Sequence, residues 1–164
     1  MLAATFRHST RWALQEFPLQ LRWEGSTASS EYPRDAVAST GGKQDIAVSA
    51  ASSFGGNDAR WNPEDLFGAS LGTCHMLTFL SLAKKVRLDV RGYEDHVTVA
   101  IDTVDKVTRV TRVRLAPTIR VAPGTDAAKV REMFEKAHKY CFIGQSITSE
   151  VVMEPTIEEV ATSR

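Results

Sequence analysis

The chain carries only two cysteines in 164 residues, has no surplus of either charge, and contains no long uninterrupted apolar run. Two cysteines exclude the disulfide-dense scaffolds with which small extracellular domains compensate for a thin core. Any disulfide here is expected to be transient and catalytic, which fits a reducing, cytoplasmic setting. No Cys-x-x-Cys is present, so the commonest signature of a structural zinc site is missing. Twenty basic residues balance twenty acidic ones, and no overall field draws the chain to nucleic acid or an anionic membrane. The same balance gives little colloidal repulsion, which leaves self-association open. The greasiest segment, Met76 to Ala83, ends at Lys84-Lys85, short of the roughly 18 residues that span a bilayer. Neither nucleic acid nor membrane is expected as a partner.

What is present suits one ordinary domain over residues 1–164. Apolar residues make up 43% and charged residues 24%, an ordinary balance for a chain that buries a sizeable core. Arg7 and Arg11 precede the first acid, Glu16, a faint transit-peptide character. The segment is short and runs into a strand-like pattern, so residues 1–12 read as a disordered start or short extension.

Residues 13–23 alternate, with Leu19, Leu21 and Trp23 on one face, and predict a strand with Pro18 at its edge or start. Gly25 to Pro33 reads as a loop, followed by short strands near Ala36–Ser39 and Gln44–Val48. Residues 49–61 read as another loop. Asn62 is a good N-cap and Pro63 a preferred first helical residue. The helix they open is expected to run to about Arg87, closing on Lys84, Lys85 and Arg87. Two long strands are predicted over Tyr93–Ile101 and Val107–Val121. Asp126 then caps a second helix ending near Tyr140, and a last strand covers Ser146–Glu154. The order implies an α+β fold with antiparallel sheet rather than alternating βαβ units.

Both cysteines belong to the helical segments. Cys74 shares a helix face with Ser70, Leu71, Leu77 and Thr78. Such surroundings raise a thiol's pKa and leave it inert unless a cation is close. A packed core cysteine and an activated thiolate are the two readings. Gly68 and Gly72 each cost a helix interior about 1 kcal/mol, so another helix, a partner chain or a ligand should approach the backbone there. Cys141, in His138-Lys139-Tyr140-Cys141-Phe142-Ile143-Gly144, is either an ordinary helix-end cysteine or a thiol that reaches Cys74. The latter needs Cα atoms within about 7 Å.

Three chemistries compete for these residues. Cys74, His75, His138 and Cys141 have metal-ligand character, but adjacent helical residues point about 100° apart. His138-x-x-Cys141 alone does not define a site, and no metal or other cofactor is expected. A cysteine-dependent hydrolase or acyl-transfer enzyme needs a histidine base held near Cys74 by a third group, with His138 the one possibility. A peroxide-reducing thiol needs a positive donor for the thiolate and for the departing oxygen, a task suited to arginine oriented by a carboxylate. Arg34, Arg22 and Arg60 are candidates that composition does not separate.

Asn62-Pro63-Glu64-Asp65-Leu66-Phe67, followed by small residues and Cys74-His75, resembles the first-cysteine helix of the OsmC/Ohr family of hydroperoxide-reducing thiol enzymes. Ala137-His138-Lys139-Tyr140-Cys141-Phe142-Ile143 resembles the family's second-cysteine segment, and Tyr32-Pro33-Arg34-Asp35 its arginine-bearing segment. The resemblance implies an OsmC/Ohr-like α+β fold, with antiparallel sheet packed on a long cysteine-bearing central helix in an intertwined homodimer. It implies Cys74 as peroxidatic thiolate, Cys141 as resolving thiol, Arg34 as activating cation and Glu64 as its orienting carboxylate. The implied reaction turns organic hydroperoxides into alcohols through a Cys74 sulfenic acid and a Cys74–Cys141 disulfide. A dithiol, such as a lipoylated protein, would then reduce that disulfide. Phe67, Leu71, Leu77 and Phe142 are expected to form an apolar substrate pocket, or simply core. A non-catalytic dimeric module binding an apolar ligand is the remaining alternative.

One geometric conflict follows. Ten residues of straight helix separate Glu64 from Cys74 by about 15 Å, too far for one arginine to touch both. A break between Pro63 and Ser70, fold-back, or supply of Arg34 from a partner subunit would resolve it, and the break is the expectation.

Overall fold

Asn62 and Asp65 start the longest element by exchanging hydrogen bonds. The Asp65 N–H donates to Asn62 Oδ1 at 2.8 Å, and the Asn62 N–H donates to Asp65 Oδ2 at 3.1 Å. This capping box satisfies two of the donors that a helix start leaves orphaned. From it, helix α1 runs without interruption over Pro63–Lys85. In the computed structural model, which describes residues 14–161, the chain divides into one unit ending at Arg60 and another beginning at Trp61. The expectations for residues 1–12 lie outside the described residues.

The first unit is a three-stranded antiparallel sheet of β1 (Gln20–Arg22), β2 (Ala36–Ser39) and β3 (Ile46–Val48), in that order. The strand expected over 13–23 shortens to β1. Pro18 offers no N–H to a ladder, and its carbonyl instead accepts from the Thr40 hydroxyl at 2.8 Å. Residues 52–54 add one 3-10 turn to the loop that follows β3.

The second unit adds β4 (Val90–Asp95), β5 (Thr98–Val104), β6 (Val107–Leu115), β7 (Pro117–Val121), helix α2 (Ala127–Tyr140), β8 (Glu150–Met153) and β9 (Thr156–Glu159). Each of the two long strands predicted from sequence is therefore two strands. β4 and β7 belong to the sheet β4-β7-β9, while β5 and β6 belong to β5-β6-β8. Asp95 fixes the corner between them. Its Oδ1 accepts the Ala116 N–H at 2.8 Å and its Oδ2 accepts the Tyr93 hydroxyl at 3.1 Å. Burial pushes the Asp95 carboxyl pKa up against the opposing pull of those bonds. Apolar alternation continues through such a corner, so periodicity alone does not reveal it.

The hairpins are antiparallel, as expected, but β8 and β9 join β6 and β7 in parallel. Parallel pairing needs a crossover, and α2 supplies it. The last predicted strand begins instead as a 3-10 turn at Gly144–Ser146, and β9 lies where no strand was expected.

Packed between the two helices and the strands are Leu71 and Phe79 of α1, Val130 and Phe134 of α2, and Leu115 and Ile119, all fully buried. The expected break in α1 is absent, and the reason is visible at its glycines. A methyl group on Gly68 would lie 2.8 Å from Val99 Cγ2, and one on Gly72 would lie 2.9 Å from Val97 Cγ2. The segment that approaches the helix is the β4–β5 connection and the start of β5, and the glycines accommodate it in an unbroken helix. A second expectation also changes. By length and composition α1 could cross a membrane, with a mean hydropathy of 1.4. Its leucines, phenylalanines, Met76, Cys74 and alanines raise that average, glycines, threonines and His75 interrupt them, and Leu71, Phe79 and Ala83 are committed to the core.

The glycine contacts give a sign-reversal test. In the native background Gly72→Ala should lower stability in urea unfolding by about 1 kcal/mol, because overpacking of about 1–3 kcal/mol outweighs a propensity gain near 1. In a Val97→Ala background the same substitution should stabilise.

Candidate active site

Cys74 occupies the middle of α1, half-buried against the core. The Thr78 hydroxyl donates to the Cys74 carbonyl at 2.8 Å, a back-bond of the kind threonine forms within a helix. Cys141 is the C-cap of α2, where the backbone turns extended at φ −75° and ψ 109°. That turn carries the thiol into the core, where it is fully buried. The Gly144 N–H donates to Cys141 Sγ at 3.3 Å.

The two thiols are neighbours, and both are free cysteines. Burial above all, with the Cys74 thiol beside it, holds the Cys141 thiol up at about 11, while the Gly144 N–H pulls the other way. The pair is therefore unsymmetrical, with a partly accessible sulfur on α1 and a buried, protonated one at the end of α2. Such an arrangement can pass one sulfur's oxidation to the other.

The remaining sequence candidates are more scattered. Glu64 is half-buried in the first turn of α1. Because that helix is continuous, ten residues of rise place it about 15 Å along the axis from Cys74. Arg34 lies in the first unit, just before β2. Its Nη1 donates to the Tyr32 hydroxyl at 2.8 Å, and its guanidinium sits 4.6 Å from the Tyr32 ring centre. Asp35 does not hold it, pairing instead with Arg60 at 3.0 Å. Arg22 and Arg60 line a shallow cleft of about 310 Å³ with Glu24 and Asp35. Of the four apolar candidates, Leu71 is wholly inside the core and Phe67 packs half-buried against it. Leu77 and Phe142, each close in sequence to one cysteine, are 57% and 83% exposed.

Sequence reasoning weighed His75 and His138 as metal ligands and His138 as a base, but did not foresee that the two rings meet. His75 turns its ring inward, edge-on to Phe134 at 4.4 Å and 6.4 Å from the His138 ring. Both ring nitrogens of His75 and Nδ1 of His138 are buried without a hydrogen-bond partner. The signal was present as Cys74-His75 and His138-x-x-Cys141, but only the packing of α1 on α2 brings the imidazoles together. Burial above all, with the neighbouring His138 ring, holds the His75 pKa down at about 4, against a smaller opposing effect of the Phe134 backbone. Among the described residues no group of three or more metal-ligating side chains gathers.

The histidine environment fixes the sign of a pH effect. Between about pH 6.5 and 4 the unfolded chain protonates His75 while the folded chain does not, so stability falls as pH drops through that window. His75→Phe should flatten this loss, which amounts to about 3 kcal/mol at most. It should also raise stability near pH 5, as measured by urea unfolding across the pH series.

The OsmC-like protein family profile matches residues 55–156. Among solved structures, the chain is similar to an OsmC-like protein of unknown function from Vibrio cholerae. That likeness has 29% identity and a TM-score of 0.79, and covers 87% of this chain and 99% of that one. It is also similar to an organic hydroperoxide resistance protein, OsmC, from Legionella pneumophila, with 18% identity, a TM-score of 0.68, and coverage of 89% and 98%. A third likeness is to the organic hydroperoxide resistance protein OhrB of Bacillus subtilis, with 20% identity, a TM-score of 0.61, and coverage of 89% and 100%. At the identities of these last two, the likeness concerns the fold. No curated protein matches the chain. The profile spans more than half of the sequence, from just before the cap of α1 through α2 to the start of β9, and the chain belongs to the OsmC-like protein family.

Proposed function

We propose that the protein is a thiol peroxidase that reduces organic hydroperoxides to alcohols. The observation that carries this reading is the adjacency of a partly accessible thiol, Cys74, and a buried one, Cys141, both reduced. Kinship with proteins named for organic hydroperoxide resistance supports the substrate class. In the cycle, the Cys74 thiolate attacks one peroxide oxygen, the O–O bond breaks, and an alcohol leaves. Cys74 becomes a sulfenic acid. The Cys141 sulfur displaces its oxygen as water, and the disulfide is reduced by an external dithiol such as a lipoyl group. A cytoplasmic location suits that reductant.

Arg34 is the cation in this reading and Glu64 the carboxylate that orients it. The unbroken α1 keeps Glu64 about 15 Å from Cys74 of its own chain, which favours a homodimer in which Glu64 serves the partner's thiol. Exposed apolar side chains, among them Leu77, Phe142 and Leu21, supply surface for such a dimer and for a bulky hydroperoxide. A hydrolase is less well supported, because Nδ1 of His138, the one candidate base, lacks the third group that would orient it.

Reduced protein mixed with cumene hydroperoxide and followed by mass spectrometry tests the proposal. The native chain should lose two hydrogens, Cys74→Ser should not react, and Cys141→Ser should stop at a sulfenic acid. Arg34→Ala should slow sulfenic acid formation by about 100-fold at neutral pH. Thiols unchanged under excess peroxide would sink the peroxidase and leave an apolar-ligand-binding module.

A further inference from the structure

Arg34 is an exposed arginine on the approach to β2, and such a side chain gives up much rotamer freedom to hold one pose. Here its guanidinium is held on several sides. Nη1 donates to the Tyr32 hydroxyl at 2.8 Å, and the guanidinium carbon lies 4.6 Å from the Tyr32 ring centre. The Nε edge runs over Gly55, where a methyl group would sit 3.1 Å from Nε and 3.6 Å from Nη2. Gly55 closes the 3-10 turn at φ +76°, a conformation that favours glycine. The arginine thus lies on bare backbone.

The chain that carries the pair is fixed as well. A residue before proline is pushed to extended geometry, and along an extended chain residues i and i+2 face the same way. Tyr32 and Arg34 flank Pro33, and they meet for that reason. The Pro33 carbonyl accepts from Trp23 Nε1 at 2.7 Å. A methyl group on Gly25 would lie 2.7 Å from the Trp23 ring and 2.8 Å from Pro33 Cγ, so indole and proline close over that glycine. Asp35, the neighbouring carboxylate, is turned to Arg60 at 3.0 Å. Among the described residues of the first unit, no carboxylate forms an ion pair with Arg34.

We propose that Tyr32 is the positioning residue for Arg34, its hydroxyl and ring face together fixing the direction of the guanidinium. The inference rests on the reading of Arg34 as the cation of the peroxidase cycle. A charge-assisted hydrogen bond and a cation–π contact act here on one group. The bond alone would let the guanidinium swing about Nη1, and the ring alone would let it slide. A guanidinium has several N–H donors, so one spent on tyrosine leaves others for Glu64 and for the sulfur and oxygen that carry negative charge. A neutral partner also steers the arginine without offsetting its charge, which a carboxylate in the same place would do.

The test compares two alkylating reagents on the full-length reduced protein, neutral iodoacetamide and anionic iodoacetate. Modification of Cys74 is followed by peptide mass spectrometry. The ratio of the two rates removes the thiolate fraction, which both reactions share, and reports positive charge beside the sulfur. Arg34→Ala should lower the iodoacetate-to-iodoacetamide ratio by about tenfold. Tyr32→Ala should lower it by about threefold, and Tyr32→Phe, which keeps the ring and loses the hydroxyl, by less. Added to Arg34→Ala, Tyr32→Ala should change the ratio no further, as expected of a residue that acts through the arginine. A ratio lowered by Arg34→Ala but unmoved by Tyr32→Ala, or lowered independently by each, overturns the role of Tyr32. A ratio that Arg34→Ala leaves unchanged overturns Arg34 as the cation and Tyr32 with it. Native protein that forms no sulfenic acid with cumene hydroperoxide overturns the peroxidase reading instead, and the rate ratio still decides Tyr32.

Discussion

The close approach of the β4–β5 segment to the glycine face of α1 is the constraint on which the thiol pair depends. Val97 and Val99 sit where side chains at positions 68 and 72 would otherwise be. That fixes the height and rotation of the helix against the sheet. With α1 seated, the same helix presents Leu71 and Phe79 to the core and meets α2 through Phe134. The end of α2 is then brought to Cys74, and the turn at Cys141 sends the second sulfur inward. A helix displaced by one residue would rotate Cys74 by about 100° and separate the sulfurs. Contacts some distance from the chemistry therefore set its geometry.

Electrostatics at this corner run against comfort. Cys141, His75 and Nδ1 of His138 are taken out of water with few hydrogen bonds in return, and burial opposes charge on both the thiol and the imidazole. Protein interiors usually fill such positions with hydrocarbon. Concentrating several uncompensated groups beside two reduced thiols is the pattern expected where a fold gives up stability for reactivity.

Much of this was legible beforehand. Asn62, Pro63 and Asp126 marked helix starts because capping chemistry is local, and the α+β class followed from the order of elements. The corner at Asp95 was not legible, because one carboxylate reaching Ala116 is a long-range bond and the alternation of the strands runs through it undisturbed. Gly68 and Gly72 announced a close neighbour without naming it, and suggested a break that the unbroken helix does not have. Leu71 and Leu77 share the helix face of Cys74, yet one is fully buried and the other exposed. Tertiary packing separates them where periodicity could not. The His75–His138 contact failed for the same reason as the corner, since each histidine is unremarkable until two helices meet.

The parallel seating of β8 and β9 carries a consequence for synthesis on the ribosome. Sheet β5-β6-β8 lacks an edge until Met153 has been made, and β4-β7-β9 until Glu159. Throughout that interval α1, apolar enough to pass for a membrane span, waits beside half-built sheets. Nascent chains in this state offer greasy surface and unpaired strand edges to chaperones or to one another. A ribosome stalled before β8 would therefore release a species prone to aggregate, with both sulfurs already translated and their protective architecture still missing.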